Sequence, residues 1–396
     1  MRRELRQMVK RVIAAAAASA LLLSGCTYAP EDASGSSSAA ATDAENTASE
    51  NAVSSSLSGT DTKESVTAAS STDNSEVTTQ TGETTEAENT TASGDYKYRF
   101  TLPALGGGLC SSAFYIAKEN GYFDEEGLDV TLVSANTETL KTGINNGTIP
   151  FTYGDFQYFQ SMEQGIKGTV VDAINTGCIQ IIARSDDDSI QSAADLKGKT
   201  VCVNSIGGTP YQILNIWASE AGLTINEDYT VVAYSDGNLQ LQALKSGEVD
   251  VAAVWDPYGP KAVQDGYAKL LFDNGTDGEF AGRACCFLVA STSVLEEHPD
   301  EIAATIRALH KADQWISENP EKTVQVIVDK GYQEVDDADL AAQLLKSYGY
   351  DEISTGDHDV QGDVEFYVDK LNKLGLLTET SDEFISQFYQ KVDLDS

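Results

Sequence analysis

Three stretches of this sequence carry groups suited to holding a small polar molecule. Gly106-Gly107-Gly108 lead to Ser111 and Ser112, Gly207 and Gly208 lead to Thr209, and Trp255 adjoins Asp256. Glycines let a backbone approach a ligand closely, and hydroxyls both donate and accept hydrogen bonds. A carboxylate accepts from an amine, amide or ring N–H, while an indole stacks on a flat ring. Each stretch also has a purely structural reading. Ser111, Ser112 and Thr209 stand where helix caps belong, Asp256 precedes Pro257 as a cap precedes a first-turn proline, and Trp255 fits a core strand. Catalytic patterns are missing: His298, His310 and His358 fall in a helix-rich C-terminal part, with no Ser/His/Asp set, metal-ligand spacing or phosphate loop. The expectation is binding without catalysis, and with neither cofactor nor metal.

Apart from Cys26 there are five cysteines, Cys110, Cys178, Cys202, Cys285 and Cys286, and an odd number excludes complete internal pairing. Thr-Val-Cys202-Val-Asn, and Cys285-Cys286 before Phe-Leu-Val-Ala, read as buried strand thiols. Successive strand side chains face opposite ways, which argues against a metal or bridge shared by Cys285 and Cys286. No disulfide is expected.

The elements that must position these groups alternate. Tyr98–Leu102 is a strand, and Ala113–Asn120 a helix closed by Gly121. Asp129–Val133 and Pro150–Tyr153 are strands, with a helix capped by Thr137 between them and another opened by Asp155 after them. The pattern restarts after Arg184 with strands at Thr200–Val203, Tyr229–Tyr234 and Asp250–Trp255, separated by helices. Strand, helix, strand at this spacing predicts an α/β fold on a largely parallel sheet. A strand over Arg283–Ala290 is followed by helices to the C terminus.

The first 95 residues are of another kind. Arg2, Arg3, Arg6, Lys10 and Arg11 precede an apolar run, Val12–Leu23, and then Leu23-Ser24-Gly25-Cys26. That is the layout of a secretory signal, residues 1–26, ending in a lipobox with Cys26 as the lipidated residue. Residues 27–95 hold 13 acids, one base and one aromatic, Tyr28, so a disordered tether is expected there, with a reach of roughly 45 Å. The remaining 301 residues carry 48 acids and 20 bases, which makes nucleic acid and anionic lipid surfaces poor partners, and no nucleic acid is expected. The scarcity of Lys and Arg near the glycine-rich turns gives weight to neutral, zwitterionic or aromatic heterocyclic ligands.

Three segments in order give the chain a family likeness: the run from Ala113 to Val130, the run from Ser192 to Val203 with the Gly-Gly-Thr turn after it, and the run from Ala243 to Tyr258. Together they resemble the substrate-binding proteins of nitrate, sulfonate and taurine ABC importers, also called SsuA/THI5-like or NMT1-like. The resemblance implies a type II periplasmic-binding-protein fold of two α/β lobes joined by two hinge crossovers. The lobes are expected at 96–184 with 285–396, and at 185–284, with crossovers near Ile181–Ser185 and Arg283–Phe287. It also implies ligand loops at Tyr153-Gly154-Asp155 and Thr176-Gly177, a second-lobe contact at Gly207-Gly208-Thr209, and Trp255-Asp256 facing the cleft, although Asp155 is equally placed to cap a helix. The expected ligand is a sulfonate, taurine, nitrate or a thiamine-related pyrimidine. The expected partners are an ABC permease and ATPase, met by a monomer held by its lipid on the outer face of the cell membrane. A ligand-presenting sensory receptor and a THI5-like pyrimidine-synthesis enzyme are the alternatives. Cys285-Cys286-Phe287 matches only in part the cysteine-rich run of such enzymes.

Overall fold

The computed structural model describes residues 96–395 apart from 106, 107 and 136. The signal, Cys26, the tether and Gly106-Gly107 lie outside the described residues. Those described fall in one compact unit, Glu88–Ser396. Among them no helix is long and apolar enough to cross a membrane.

The described residues form ten strands in chain order: β1 (Tyr98–Pro103), β2 (Leu128–Val133), β3 (Phe151–Asp155), β4 (Gly168–Thr176), β5 (Ile179–Arg184), β6 (Thr200–Val203), β7 (Thr230–Ala233), β8 (Val251–Trp255), β9 (Ala268–Asp273) and β10 (Ala284–Ser291). They form three sheets, β1-β2, β3-β10-β4 and β7-β6-β8-β5-β9. Among the described residues four helices of ten or more residues follow β10, beginning with Pro299–Glu318.

The faces of the five-stranded sheet follow the two-residue period of a strand. Ile181, Val201, Val203, Val251 and Ala253 join the main core, whereas Ile182, Cys202, Ala252 and Val254 face a smaller cluster with Leu241 and Leu244. β10, the middle strand of its sheet, is buried along its whole length, as its unbroken run Ala-Cys-Cys-Phe-Leu-Val-Ala-Ser suggests.

The sheets are less parallel than the strand–helix alternation predicts. Only β1–β2, β6–β7 and β6–β8 are parallel, while β10 runs antiparallel to β3 and β4, and β5 antiparallel to β8 and β9. A parallel pair needs a crossover of about a dozen residues or more. Between β4 and β5 there are only Gly177 and Cys178, and there the chain passes from one sheet to another. The strand Ile179–Arg184 therefore sits in the five-stranded sheet, apart from the first-lobe strands with which its sequence position grouped it. The sequence pattern marks where helices resume after Arg184, which is later than where the sheet changes.

The return passage, residues 274–283 between β9 and β10, touches the first one. Gly177 has φ +39°, and a Cβ there would stand 2.3 Å from the Gly275 Cα, so only glycine fits. Asn274, fully buried, accepts at Oδ1 from the N–H groups of Cys178 and Ile179 at 2.9 and 2.8 Å and locks the two passages together.

Candidate functional site

The ends of five strands converge on one cleft. At the end of β1 and after it come Pro103, Leu105 and Gly108; after β2, Ala135; at the end of β3, Tyr153, Gly154 and Asp155; after β6, Asn204, Thr209 and Pro210; and at the end of β8, Trp255. Ligands of α/β sheets bind at such carboxyl ends. The cleft holds about 370 Å³, the size of a small-molecule pocket. A second hollow of about 430 Å³ lies between helices Gly237–Ser246 and Tyr258–Gln264 and the segment 333–341. It bears the exposed charges Lys245, Asp265, Glu334 and Asp336, and no strand ends there.

Gly154, Asp155, Thr209 and Trp255 line the cleft. Gly154 must be glycine because the Tyr158 ring lies against it, where a Cβ would come within 2.5 Å. Asp155 does not cap the helix Gln157–Glu163, whose N-cap is Phe156. Its Oδ1 is buried without a partner, and burial pushes its carboxyl up to about 7, partly offset by the nearby Thr209 hydroxyl. Thr209, from the other sheet, opens the helix Thr209–Glu220, and its buried Oγ1 also lacks a partner. Two buried polar atoms without partners thus stand close together on the cleft lining. Buried polar atoms rarely stay unpaired, and a ligand's polar atoms would satisfy both. The Trp255 ring meets Tyr258 edge-on at 5.1 Å.

The other expected residues serve the frame. Ser111 is buried with Oγ unpaired, and the Ser112 hydroxyl donates to the Leu109 carbonyl at 2.5 Å. The Thr176 hydroxyl donates to the Ser347 carbonyl at 3.4 Å, and Gly177 is the contact between passages. Gly207 is an exposed turn with φ +84°, and Gly208 is the backbone N-cap of the helix that follows. Asp256 is only 4% exposed and is not among the cleft-lining residues. It does not cap the helix Tyr258–Gln264, which has Pro257 at its N-cap and no side-chain cap. Instead its Oδ2 accepts from the Tyr348 hydroxyl at 3.0 Å, and burial raises its carboxyl to about 7.

Asn204, which sequence reasoning passed over, lines the cleft, as does Tyr158 from the aromatic run Phe151–Phe159. Asn204 follows β6 directly and presents a buried, unpaired Oδ1; its place one residue beyond a strand was the available signal. Among the described lining residues there is no Lys, Arg or His, and Asp155 is the one carboxyl. Arg184 pairs with Asp186, and Arg283 with Asp363, so neither reaches in. His310 and His358 bond to Asp172 and Asp363, also away from the cleft.

The reading of Cys285 and Cys286 needs correction. Their sulfurs and that of Cys178 lie within 4.8 Å of one another. The regular pleat is broken there, because the β10–β4 register slips between Ala284 and Cys286.

Residues 111–323, over half of the chain, match the family described as NMT1/THI5 like. The chain belongs to that family. A formylaminopyrimidine-binding protein of Halalkalibacterium halodurans is 27% identical over 248 residues, covering 59% of this chain and 72% of that protein. Among solved structures, the periplasmic aliphatic sulphonate binding protein SsuA of Escherichia coli aligns with TM-score 0.59 at 18% identity, over 77% of this chain and 95% of that one. The periplasmic nitrate-binding protein NrtA of Synechocystis aligns with TM-score 0.55 at 14% identity, over 75% and 86%. The fold is that of the periplasmic binding proteins, and the family is of the binding-protein type.

Proposed function

We propose that the chain captures a small, flat, nitrogen-bearing heterocycle of the aminopyrimidine class in the cleft and hands it to an ABC importer. The observation that carries this reading is a lone carboxyl, Asp155, among aromatic walls with no cation beside it. A sulfonate or nitrate would bring negative charge next to that carboxyl and leave its hydration unreplaced. The helix Thr209–Glu220 offers a partly positive N terminus, yet Pro210 removes one of its free N–H groups. An aminopyrimidine suits the same walls, with its amine donating to Asp155, a ring nitrogen accepting from Thr209, and its face against Trp255. The likeness to a formylaminopyrimidine-binding protein agrees with this choice.

In this reading β1 to β4, β10 and the C-terminal helices form one lobe, and β5 to β9 the other. A solute touching Asp155 and Thr209 holds the lobes together and favours the closed arrangement. Anchoring belongs to the same proposal: Cys26 carries the lipid, residues 27–95 tether a monomeric head outside the membrane, and an ABC permease with its ATPase receives the closed head.

A thermal-shift panel on the full chain tests the ligand class. A hydroxymethyl aminopyrimidine at 100 times its dissociation constant should add about 2.7 kcal/mol, with no response to taurine, an alkanesulfonate or nitrate. Stabilisation by a sulfonate alone would overturn the ligand class, and silence across the panel would count against solute capture. For the anchor, Cys26→Ala should free the protein from membranes. A processed variant that stays bound would contradict the lipid attachment.

A further inference from the structure

The floor of the cleft carries sulfur. Cys178 lies in the passage from β4 to β5, and Cys285 and Cys286 are at the start of β10. Their Sγ atoms all lie within 4.8 Å of one another, and those of Cys178 and Cys285 are 3.3 Å apart. All three residues are buried, and buried free cysteines usually act as small apolar filler. Filler does not require a distorted strand. Here the register of β10 against β4 slips between Ala284 and Cys286 and again between Cys286 and Phe287. Adjacent side chains that would otherwise diverge both reach Cys178.

A second observation points the same way. Asn274 is fully buried and pinned through its Oδ1, while its Nδ2 has no partner. That amide stands beside Cys285. An unpaired buried donor next to converging sulfurs is the outer-shell support that a metal–thiolate site uses. Cys178 and Cys286 also line the cleft, which gives an ion its way in.

We propose that Cys178, Cys285 and Cys286 form a three-thiolate site for a thiophilic divalent cation, zinc, with its fourth position open to the cleft. Sulfurs bound at about 2.3 Å around a tetrahedral ion stand about 3.8 Å apart. That separation lies between the 3.3 Å of Cys178 and Cys285 and the 4.8 Å limit of the group, so small side-chain rotations suffice. Each thiol releases its proton as it binds. Three thiolates and a divalent ion leave one net negative charge in a buried place, whereas a monovalent ion would leave two, a larger desolvation cost. The site does not depend on which solute fills the cleft.

Calorimetric titration of the reduced full chain with Zn(II) against a competing chelator, with X-ray absorption of the loaded protein, tests the site. One zinc per chain with three sulfurs in its first shell is expected. Cys178→Ala and Cys286→Ala should each weaken zinc by more than the roughly 10–100-fold that loss of a supporting residue costs. Cys202→Ala, a buried thiol outside the group, should leave zinc binding unchanged. Folded wild type that takes up no zinc would overturn the proposal, as would a first shell of nitrogen and oxygen. Equal affinity in Cys286→Ala, or a Cys178–Cys285 disulfide in protein purified without oxidant, would do the same. Should an alanine variant fail to fold, the sulfur count on wild type decides alone.

Discussion

At the scale of single residues, the cleft turns on Asp155. Its carboxyl, raised to about 7 by burial, is partly protonated near neutral pH, and an amine donor from a solute would favour the charged form. Binding therefore releases a proton, so affinity for an aminopyrimidine should rise between about pH 5.5 and about pH 8.5. In Asp155→Asn that rise should vanish, and at the upper pH affinity should fall roughly 10- to 150-fold, since hydrogen bonds to charged groups contribute about 1.5–3 kcal/mol. Parallel calorimetry on the two proteins checks both statements, because the ligand's own titration affects them equally. Tyr348→Phe is the counterpart for Asp256. It removes the partner of a buried carboxyl and should cost about 1–3 kcal/mol in denaturant melts. Gly154, Asp155, Thr209 and Trp255 line the cleft; Thr209 and Trp255 stand out from a glycine turn and a strand end, Gly154 and Asp155 through the family resemblance alone. The sequence misplaced Asp256, whose partner Tyr348 lies 92 residues away and leaves no local trace.

At the scale of elements, most strands and helices were legible from alternation, caps and glycine stops, but their pairing was not. The strand Ile179–Arg184 shows why: a crossover was expected near Ile181–Ser185 and no strand, and nothing in Ile-Gln-Ile-Ile-Ala names β8 and β9 as partners. The bulge at Cys285 was equally hidden, since a register slip belongs to two strands at once. The contact between passages can be tested directly. Gly177→Ala adds left-handed strain of about 1–2 kcal/mol to overpacking of about 1–3 kcal/mol, so a loss of about 2–5 kcal/mol is expected in chemical denaturation. A change under about 1 kcal/mol would mean that the passages separate easily. In the helix Pro299–Glu318, Glu301 is buried and its carboxyl is raised to about 7. Below the unfolded value near 4.5 both states are protonated and nothing is lost. As pH rises the unfolded chain releases its proton first, so stability falls until about pH 7 and is then level. Glu301→Gln should melt higher than wild type above neutrality, by about 1–3 kcal/mol at about 1.4 kcal/mol per pKa unit. The difference should close toward about pH 4, and a constant gap at all pH would argue against a buried charge there.

At the scale of the whole molecule, two sheets joined by two touching passages bring Asp155 from one and Thr209 from the other close together on one cleft. The two-block organisation was legible because the strand–helix alternation stops and restarts. The point of passage at Gly177-Cys178 was not, because a two-residue link between strands carries no composition signal. The central claim is that one solute bridges both sides. Calorimetric titration of a hydroxymethyl aminopyrimidine into the full chain, with Asp155→Asn on one side and Thr209→Ala on the other, tests it most directly. One site per chain is expected, with affinity falling in both variants and melting temperatures close to wild type. Wild-type affinity in Thr209→Ala, or no binding by wild type at all, would contradict a ligand held between the two sheets.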